Sequence, residues 1–509
     1  MRRTRIVASI GPASWDEPVL RKVIAAGADV IRINLSHGEP AAQLGLIDRV
    51  RRVSEGEDRP VGVLVDLPGP KVRMAPFPTD GVELVPGDRV ELRCGVPASG
   101  RDVIGIDLDR LGLLAGDRVT AGDGAVMFEV VDADPGDAGD AGDGGDPGDD
   151  AGGGTTRTGV GDGDGQDDRG RSARAVVRRG GRLQGRPGIH LPDGAGGVSG
   201  PTERDLRLAL AARAAGADAV AASFVQRAAD VQRLVDALGP DRPQVVAKIE
   251  TAAAVDDAEA ILAVADAIMV ARGDLGIRLP IEDVPHVQKR LVRAAIAAGR
   301  PVITATQMLE SMVTAAYPTR AEVSDVANAV FDGTDAVMLS AETAVGAEPA
   351  EAVAVMASVV ARAEREADYP QWGAKLGRLR RSVPLPTTAK ITDATCEGAW
   401  RAAANVGAAA IVCCTPSGDI ARAVARFRPT VPVVAVSPYE RTVRALSLTW
   451  GVTAVRGHPW STTDDMVWLA TEAAVAAGMA GAGDVVVVIG GYPGDPNPAA
   501  DVLRVVRLR

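Results

Sequence analysis

Residues 244–276, QVVAKIETAAAVDDAEAILAVADAIMVARGDLGI, contain two apolar β-type runs that each end abruptly in charge. Lys248 and Glu250 close the first run, Arg272 and Asp274 the second. A buried strand has no packing reason to finish this way, because burying an unpaired charge costs several kcal/mol, roughly, so charge at such a place points to chemistry. Lysine is scarce here, six against fifty Arg, so Lys248 does not reflect compositional habit. A compact ammonium and a guanidinium are also not interchangeable against a phosphate. Two carboxylates with room for water and substrate oxygens suit magnesium, which keeps several non-protein ligands. A divalent ion, Lys248 and Arg32 around one opening would form an electrostatic clamp for a phosphoryl group in transfer. No His or Cys sits where a nucleophile has an activating base, so a covalent intermediate is not expected.

Such groups need a scaffold that gathers strand ends. Eight short β-branched runs alternate with alanine-rich helical stretches: 5–10, 30–35, 61–67, 219–224, 244–249, 267–272, 301–306 and 336–340. Continuous apolar strands alternating with helices indicate a parallel sheet covered on both faces, and eight of them predict a closed (β/α)8 barrel with its site at the C-terminal strand ends. Arg32, Asn34, Asp66, Lys248, Glu250, Asp274, Thr306, Ser340 and Glu342 all fall there. The interval 72–195 is too long for one helix and alternates in short segments that turn at Gly-Asp pairs, which predicts a small β domain inserted as a lid. Within it, 132–173 is almost wholly Asp, Gly, Ala and Thr and reads as a disordered solvated loop; its spacing is too irregular for a calcium-binding repeat. Runs at 409–415, 431–437, 451–457 and 484–490 predict an open α/β domain over 371–509, leaving 1–71 and 196–370 to the barrel.

Composition excludes several classes. The net charge of −11 equals that of residues 132–168 alone, with twelve Asp and one Arg, so the remainder is neutral and favours neither nucleic acid nor a membrane surface. Four cysteines in 509 residues argue against a disulfide framework. With no signal-like stretch at the N-terminus, a cytoplasmic protein is expected. The turn TPSGDIA (415–421) places Thr415, Ser417 and Gly418 between a strand and a helix, a geometry that suits an anion.

The blocks IRINLSHG (31–38), AKIET (247–251), IMVARGDLG (268–276), PVITATQMLESM (301–312), PTRAEVSDVANAVFDGTDAVMLSAET (318–343) and SGDIARAVARFRP (417–429) resemble pyruvate kinase, in order and over nearly the whole chain. The resemblance implies a barrel, a small inserted β-barrel lid and a C-terminal regulatory domain. It implies transfer from phosphoenolpyruvate to ADP, giving pyruvate and ATP in glycolysis, with Mg2+ or alternatively Mn2+, in a homotetramer with a phosphorylated allosteric effector. Arg32 would contact the substrate phosphate, and Lys248 would stabilise the phosphoryl group between donor and ADP. Glu250 and Asp274 would hold the metal, while amides around Gly273 and Asp274 would bind the carboxylate. Thr306 would serve the proton-delivering network. Arg73, Asn34 and His37 would face the nucleotide; Asn34, Ser36, Asp66 and Leu67 would line the monovalent-cation site; Thr415, Ser417 and Gly418 would meet the effector. Other phosphoenolpyruvate-using barrel enzymes and a catalytically silent regulatory paralogue are the competing readings.

Four departures stand out. DLPGPK (66–71) replaces the Asp-Thr-Lys-Gly-Pro-Glu pattern, so Lys71 stands where a glutamate is common. Two opposite charges ~4 Å apart near a surface are worth ~4 kcal/mol, enough for the lysine to substitute for potassium. Activity without K+ is therefore expected. Pro187 replaces a lysine in the lid, with Arg186 beside it, and Ala341 replaces a glycine. Asp419 stands in the effector turn and disfavours a bisphosphate.

Overall fold

The computed structural model describes residues 2–57, 60–122, 124–133, 171–192, 195, 200–369, 371–373, 376, 387–491 and 499–509. They form two compact units, Met1–Pro70 with Ser199–Arg509, and Lys71–Val198. In the first unit the parallel strands Arg5–Ser9, Val30–Asn34, Gly62–Asp66, Ala219–Ala222, Gln244–Ile249, Ala267–Ala271, Val302–Ala305 and Ala336–Leu339 close into a barrel, each beside its neighbour in sequence. Closure is made by the first and last strands, with Arg5 opposite Ala336.

Side-chain period decides what fills it. Val7, Val30, Leu64, Ala219, Ala221, Val246, Ala267, Met269, Ile303, Ala305, Ala336 and Met338 pack together as an interior plug. Their sequence neighbours, such as Ile6, Ile31, Val63, Val245 and Ile268, join the cluster between strands and helices. Moving two residues towards the C-terminal end from Val7, Val30, Leu64, Ala221 and Val246 reaches Ser9, Arg32, Asp66, Ser223 and Lys248. The polar layer is the next inward layer above the apolar plug.

The opposite end carries a fourfold device that the sequence reading did not pick out. Asp29, Asp218, Asp266 and Asp335 each precede an even-numbered barrel strand, in GADV, GADA, VADA and GTDA. Each accepts an amide of the preceding strand: Ile6 at 2.8 Å, Val63 at 2.8 Å, Val245 at 2.8 Å and Val302 at 3.0 Å. Each is also paired with arginine: Asp29 with Arg2 and Arg5, Asp218 with Arg51 and Arg444, Asp266 with Arg242, and Asp335 with Arg428. Arg444 and Arg428 come from the C-terminal region, which is thereby tied to the barrel floor.

That region holds a five-stranded sheet ordered Val452–Arg456, Val433–Ser437, Ala410–Cys414, Val485–Gly490, Val502–Arg507. Four strands are parallel, as expected from the apolar runs. The fifth is an antiparallel edge strand that was not foreseen, because VLRVVR is broken by Arg504 and Arg507 and is exposed or half-buried throughout rather than continuously apolar. All four cysteines are buried.

The second unit is a six-stranded sheet, Ile189–His190, Arg118–Ala121, Val126–Ala133, Ser172–Arg179, Arg89–Cys94, Val103–Ile106, with a ribbon of Gly181–Leu183 and Val82–Leu84. The small β-barrel anticipated there is thus a mixed sheet wrapped round one apolar core that includes Leu92, Val119 and Phe128. One neighbouring pair is parallel, Arg89–Cys94 beside Val103–Ile106. Of the acidic segment anticipated over 132–173, residues 134–170 lie outside the described residues. Its ends are strand: Asp132 opposes Arg174, and Ala133 opposes Ala173.

Arg428 has φ +50° and is 1 % exposed; it donates to Asp335 Oδ1 at 3.0 Å and to the Gly333 carbonyl at 2.6 Å, and lies 4.7 Å over the Trp450 ring. Arg428→Met leaves Asp335 buried without its counter-ion. The expected loss is about 3–5 kcal/mol, read as a fall in the urea unfolding midpoint.

Candidate active site

The polar layer above the plug is one chain of alternating charges. Arg32 Nε and Nη2 both reach Asp66 Oδ2, at 2.8 and 2.6 Å, and Nη1 donates to Ser9 Oγ at 2.9 Å. Lys248 Nζ donates to Ser223 Oγ at 2.7 Å and forms ion pairs with Glu250 Oε1 at 2.8 Å and Asp66 Oδ1 at 3.3 Å. Ser223 Oγ in turn donates to the Leu67 carbonyl at 2.7 Å. Glu250 Oε2 accepts the Phe224 N–H at 2.7 Å. The two carboxylates are 1 % exposed, and Lys248 and Arg32 only 12 % and 11 %. Water therefore screens little of this attraction.

The environment separates the carboxylates. Burial pushes Asp66 up, but the charges of Lys248 and Arg32 with their hydrogen bonds outweigh it, and Asp66 ends below its usual range. Burial pushes Lys248 down, and Asp66 with Glu250 more than reverses this, so the ammonium stays charged. Glu250 is pushed up to about 7: burial is the largest cause, Lys248 opposes it, and the like charge of Asp274 adds to it. Two carboxylates at adjacent strand ends, one of them raised by burial and by the other's charge, could hold a divalent cation between them.

Asp274 and Gly273 lie in the short helix Arg272–Arg278, which follows the sixth strand directly. The Gly273 N–H donates to Thr306 Oγ1 at 2.7 Å, so the ends of strands six and seven are cross-linked at the rim. Thr306 and Gln307 have φ +68° and +53°, a left-handed pair without glycine. Asn34 is in register with Asp66 on the adjacent strand, and its Oδ1 accepts the Ser36 N–H at 3.0 Å. His37 is exposed in the turn after strand two. Lys71 and Arg73 belong to the other unit, where Arg73 Nη1 donates to the Arg186 carbonyl at 3.1 Å.

The structure thus brings Arg32, Asp66, Leu67, Lys248 and Glu250 into one network, with the charge of Asp274 acting on Glu250, and joins Gly273 to Thr306. Sequence reasoning missed Ser9, Ser223 and the Phe224 amide. The interior parity, two residues beyond Val7 and Ala221, was a usable signal for the two serines. At the turn 415–421, Thr415 Oγ1 accepts the Gly418 N–H at 2.9 Å, and Ser417 Oγ donates to Asp419 Oδ2 at 2.8 Å. Arg422 Nη2 bonds the Ser417 carbonyl at 2.9 Å and Asp419 Oδ1 at 2.8 Å. The groups anticipated for an anion are therefore already partnered inside the turn, because Asp419 supplies an internal negative charge.

The sequence matches the family profile "Pyruvate kinase, barrel domain" over residues 1–140 and 165–353, and "Pyruvate kinase, alpha/beta domain" over 393–506. The chain belongs to the pyruvate kinase family. It is 38 % identical to a pyruvate kinase of Methylorubrum extorquens, over 99 % of this chain and 97 % of that one. It is 34 % identical to one of Clostridium acetobutylicum, over 99 % of both. The solved structure of a pyruvate kinase from Cryptosporidium parvum superposes with a TM-score of 0.86 at 28 % identity, covering 100 % of this chain and 96 % of that one. As a member of the pyruvate kinase family the protein is a phosphotransferase. No helix among the described residues is long and apolar enough to cross a membrane.

The raised Glu250 gives a pH signature. Its folded pKa lies above the unfolded value, so the protonated form favours folding. That stabilisation is complete below the unfolded carboxyl range and is lost as pH rises through about 7. In metal-free buffer the wild-type urea midpoint should carry this decline, and Glu250→Gln should flatten it; an unchanged profile would refute the assignment.

Proposed function

We propose that this protein transfers a phosphoryl group from phosphoenolpyruvate to ADP, giving pyruvate and ATP, the glycolytic reaction of its family. The observation that carries this reading is the buried chain Arg32–Asp66–Lys248–Glu250, which holds a charged lysine at the barrel mouth. The bond from phosphorus to the enol oxygen breaks, a bond to a β-phosphate oxygen of ADP forms, and the enolate methylene carbon takes a proton. Little covalent chemistry falls to the protein, so preorganised charge does most of the catalysis.

Arg32 meets the substrate phosphate, and Lys248 stabilises the charge on the phosphoryl group in flight. The amides of Gly273 and Asp274 orient the carboxylate, and Thr306 belongs to the route by which the proton arrives. Arg73, Asn34 and His37 serve the nucleotide. Glu250 and Asp274 would hold the divalent ion, Mg2+ or Mn2+, which would supply positive charge against the charge that develops in transfer. The buried Glu250 carboxyl, raised by burial and further by the charge of Asp274, supports this fit, since a cation beside it would favour its charged form. Among the described residues no group of three or more His, Cys, Asp or Glu could hold a metal.

The same reading includes turnover without potassium. Its support is Lys71, five residues beyond Asp66 in DLPGPK, with Asn34, Ser36 and Leu67 completing that region. It also includes a homotetramer and, at Thr415, Ser417 and Gly418, a singly phosphorylated effector, because Asp419 repels a second phosphate.

Pyruvate formation should be robust with Mg2+ in tetramethylammonium buffer and change little when K+ is added. Turnover only with K+ would discard the role of Lys71 and keep the kinase; none under either condition would discard the kinase. Lys248→Met should lower kcat by about 10^3-fold or more. Undiminished turnover of that variant would remove Lys248 from the mechanism.

A further inference from the structure

Arg272 is the one charge of the opening motif to which this function gives no task. It begins the helix after strand six, and its guanidinium crosses to the end of strand seven. Nε donates to the Ala305 carbonyl at 3.3 Å, and Nη2 to those of Thr306 at 2.7 Å and Gln307 at 3.3 Å, with Met308 Sδ at 2.8 Å. Its other face is held by Asp325, whose Oδ2 is 2.7 Å from Nη1, and by Gln288 Oε1 at 3.3 Å. Gln288 is itself fixed, donating Nε2 to Asp332 Oδ2 at 2.9 Å.

These contacts converge on strained backbone. Left-handed conformations cost non-glycine residues roughly 1–2 kcal/mol each, and a β-branched threonine tolerates them least. Thr306 and Gln307 adopt them in succession. Such strain persists only where the surroundings over-determine it. Here the carbonyl side of the turn is held by Arg272, and the hydroxyl side by the amide of Gly273, the next residue in the chain.

We infer that Arg272, braced by Asp325, is a positioning residue: it forces the Thr306–Gln307 turn into its left-handed form and so aims the Thr306 hydroxyl at the rim of the site. The assignment rests on the role proposed above for Thr306 in protonating the enolate. A lysine at 272 keeps a positive charge but cannot reach Asp325 on one side and three carbonyls on the other, because only the planar fork spans both. Without the fork the turn relaxes towards negative φ, and the hydroxyl leaves its place.

The test is a double-mutant cycle of Arg272→Lys with Thr306→Ala, read by kcat, by the Mn2+ dissociation constant, and by exchange of pyruvate methyl protons into deuterated solvent. Arg272→Lys should lower kcat and the exchange rate together, by about 10- to 100-fold, as expected for a misplaced group. Mn2+ affinity should stay the same. In the Thr306→Ala background the second change should cost almost nothing further. Asp325→Asn should reproduce a milder form of the defect, and it supplies the reading if Arg272→Lys fails to fold. Wild-type kcat in Arg272→Lys, or the same fold-loss with and without Thr306, would overturn the inference. A wild-type protein that forms no pyruvate would overturn the proposed function instead, so the two failures are distinguishable.

Discussion

Asp66 is the pivot of the structure. One buried carboxylate is shared by two cations, with Arg32 on Oδ2 and Lys248 on Oδ1. Alone it would be forced towards neutrality by burial, and either cation alone would carry the cost of leaving water. Together they remain charged in a space that water scarcely enters, and their fields are undamped where a polyanionic substrate would arrive. The arrangement also fixes distance: an arginine that forks onto one oxygen leaves the other for a single-point ammonium. Lys248 then donates to Ser223 and pairs with Glu250 at 2.8 Å, so its direction is set as well as its charge.

A network of that kind needs a frame that does not yield. The interior plug supplies part of it, since close-packed layers of small and branched residues fill the barrel below the charges. The floor supplies the rest. Four aspartates, one before every second strand, each bind an amide of the preceding strand and at least one arginine. Neighbouring strands are thereby locked in register at the end opposite the chemistry. Arg428 and Arg444 carry the lock into the C-terminal region, so the floor is a physical route by which that region and the barrel share free energy. At the rim, Arg272 does for strands six and seven what the aspartates do below.

The electrostatics of the two ends differ in purpose. On the floor each negative charge has its own cation. At the rim burial raises Glu250 to about 7, with the charge of Lys248 opposing the rise and the like charge of Asp274 adding to it. Burial and like charge thus act together on Glu250, whereas each floor aspartate is balanced by arginine. The turn 415–421 is the converse: Asp419 sits among hydroxyls and an arginine, so its negative charge is internal.

The sequence by itself determined the eight strands, the parity that turns Arg32, Asp66 and Lys248 inward, and the strand ends that carry Glu250 and Asp274. All of these follow from local periodicity, and period two leaves no choice of face once one face is buried. The tertiary structure alone decided the partners. Ser223 lies 25 residues from the lysine it holds, Arg272 lies 34 from Thr306, and Arg444 lies 226 from Asp218. Such pairings depend on how the strands close on one another, which no local pattern encodes. The left-handed Thr306 was illegible for the same reason: nothing in PVITATQM favours that backbone, and it exists because side chains distant in sequence hold it. The edge strand 502–507 escaped notice because none of its residues is fully buried and arginines interrupt it, so its pattern lacks the apolar continuity of the buried strands.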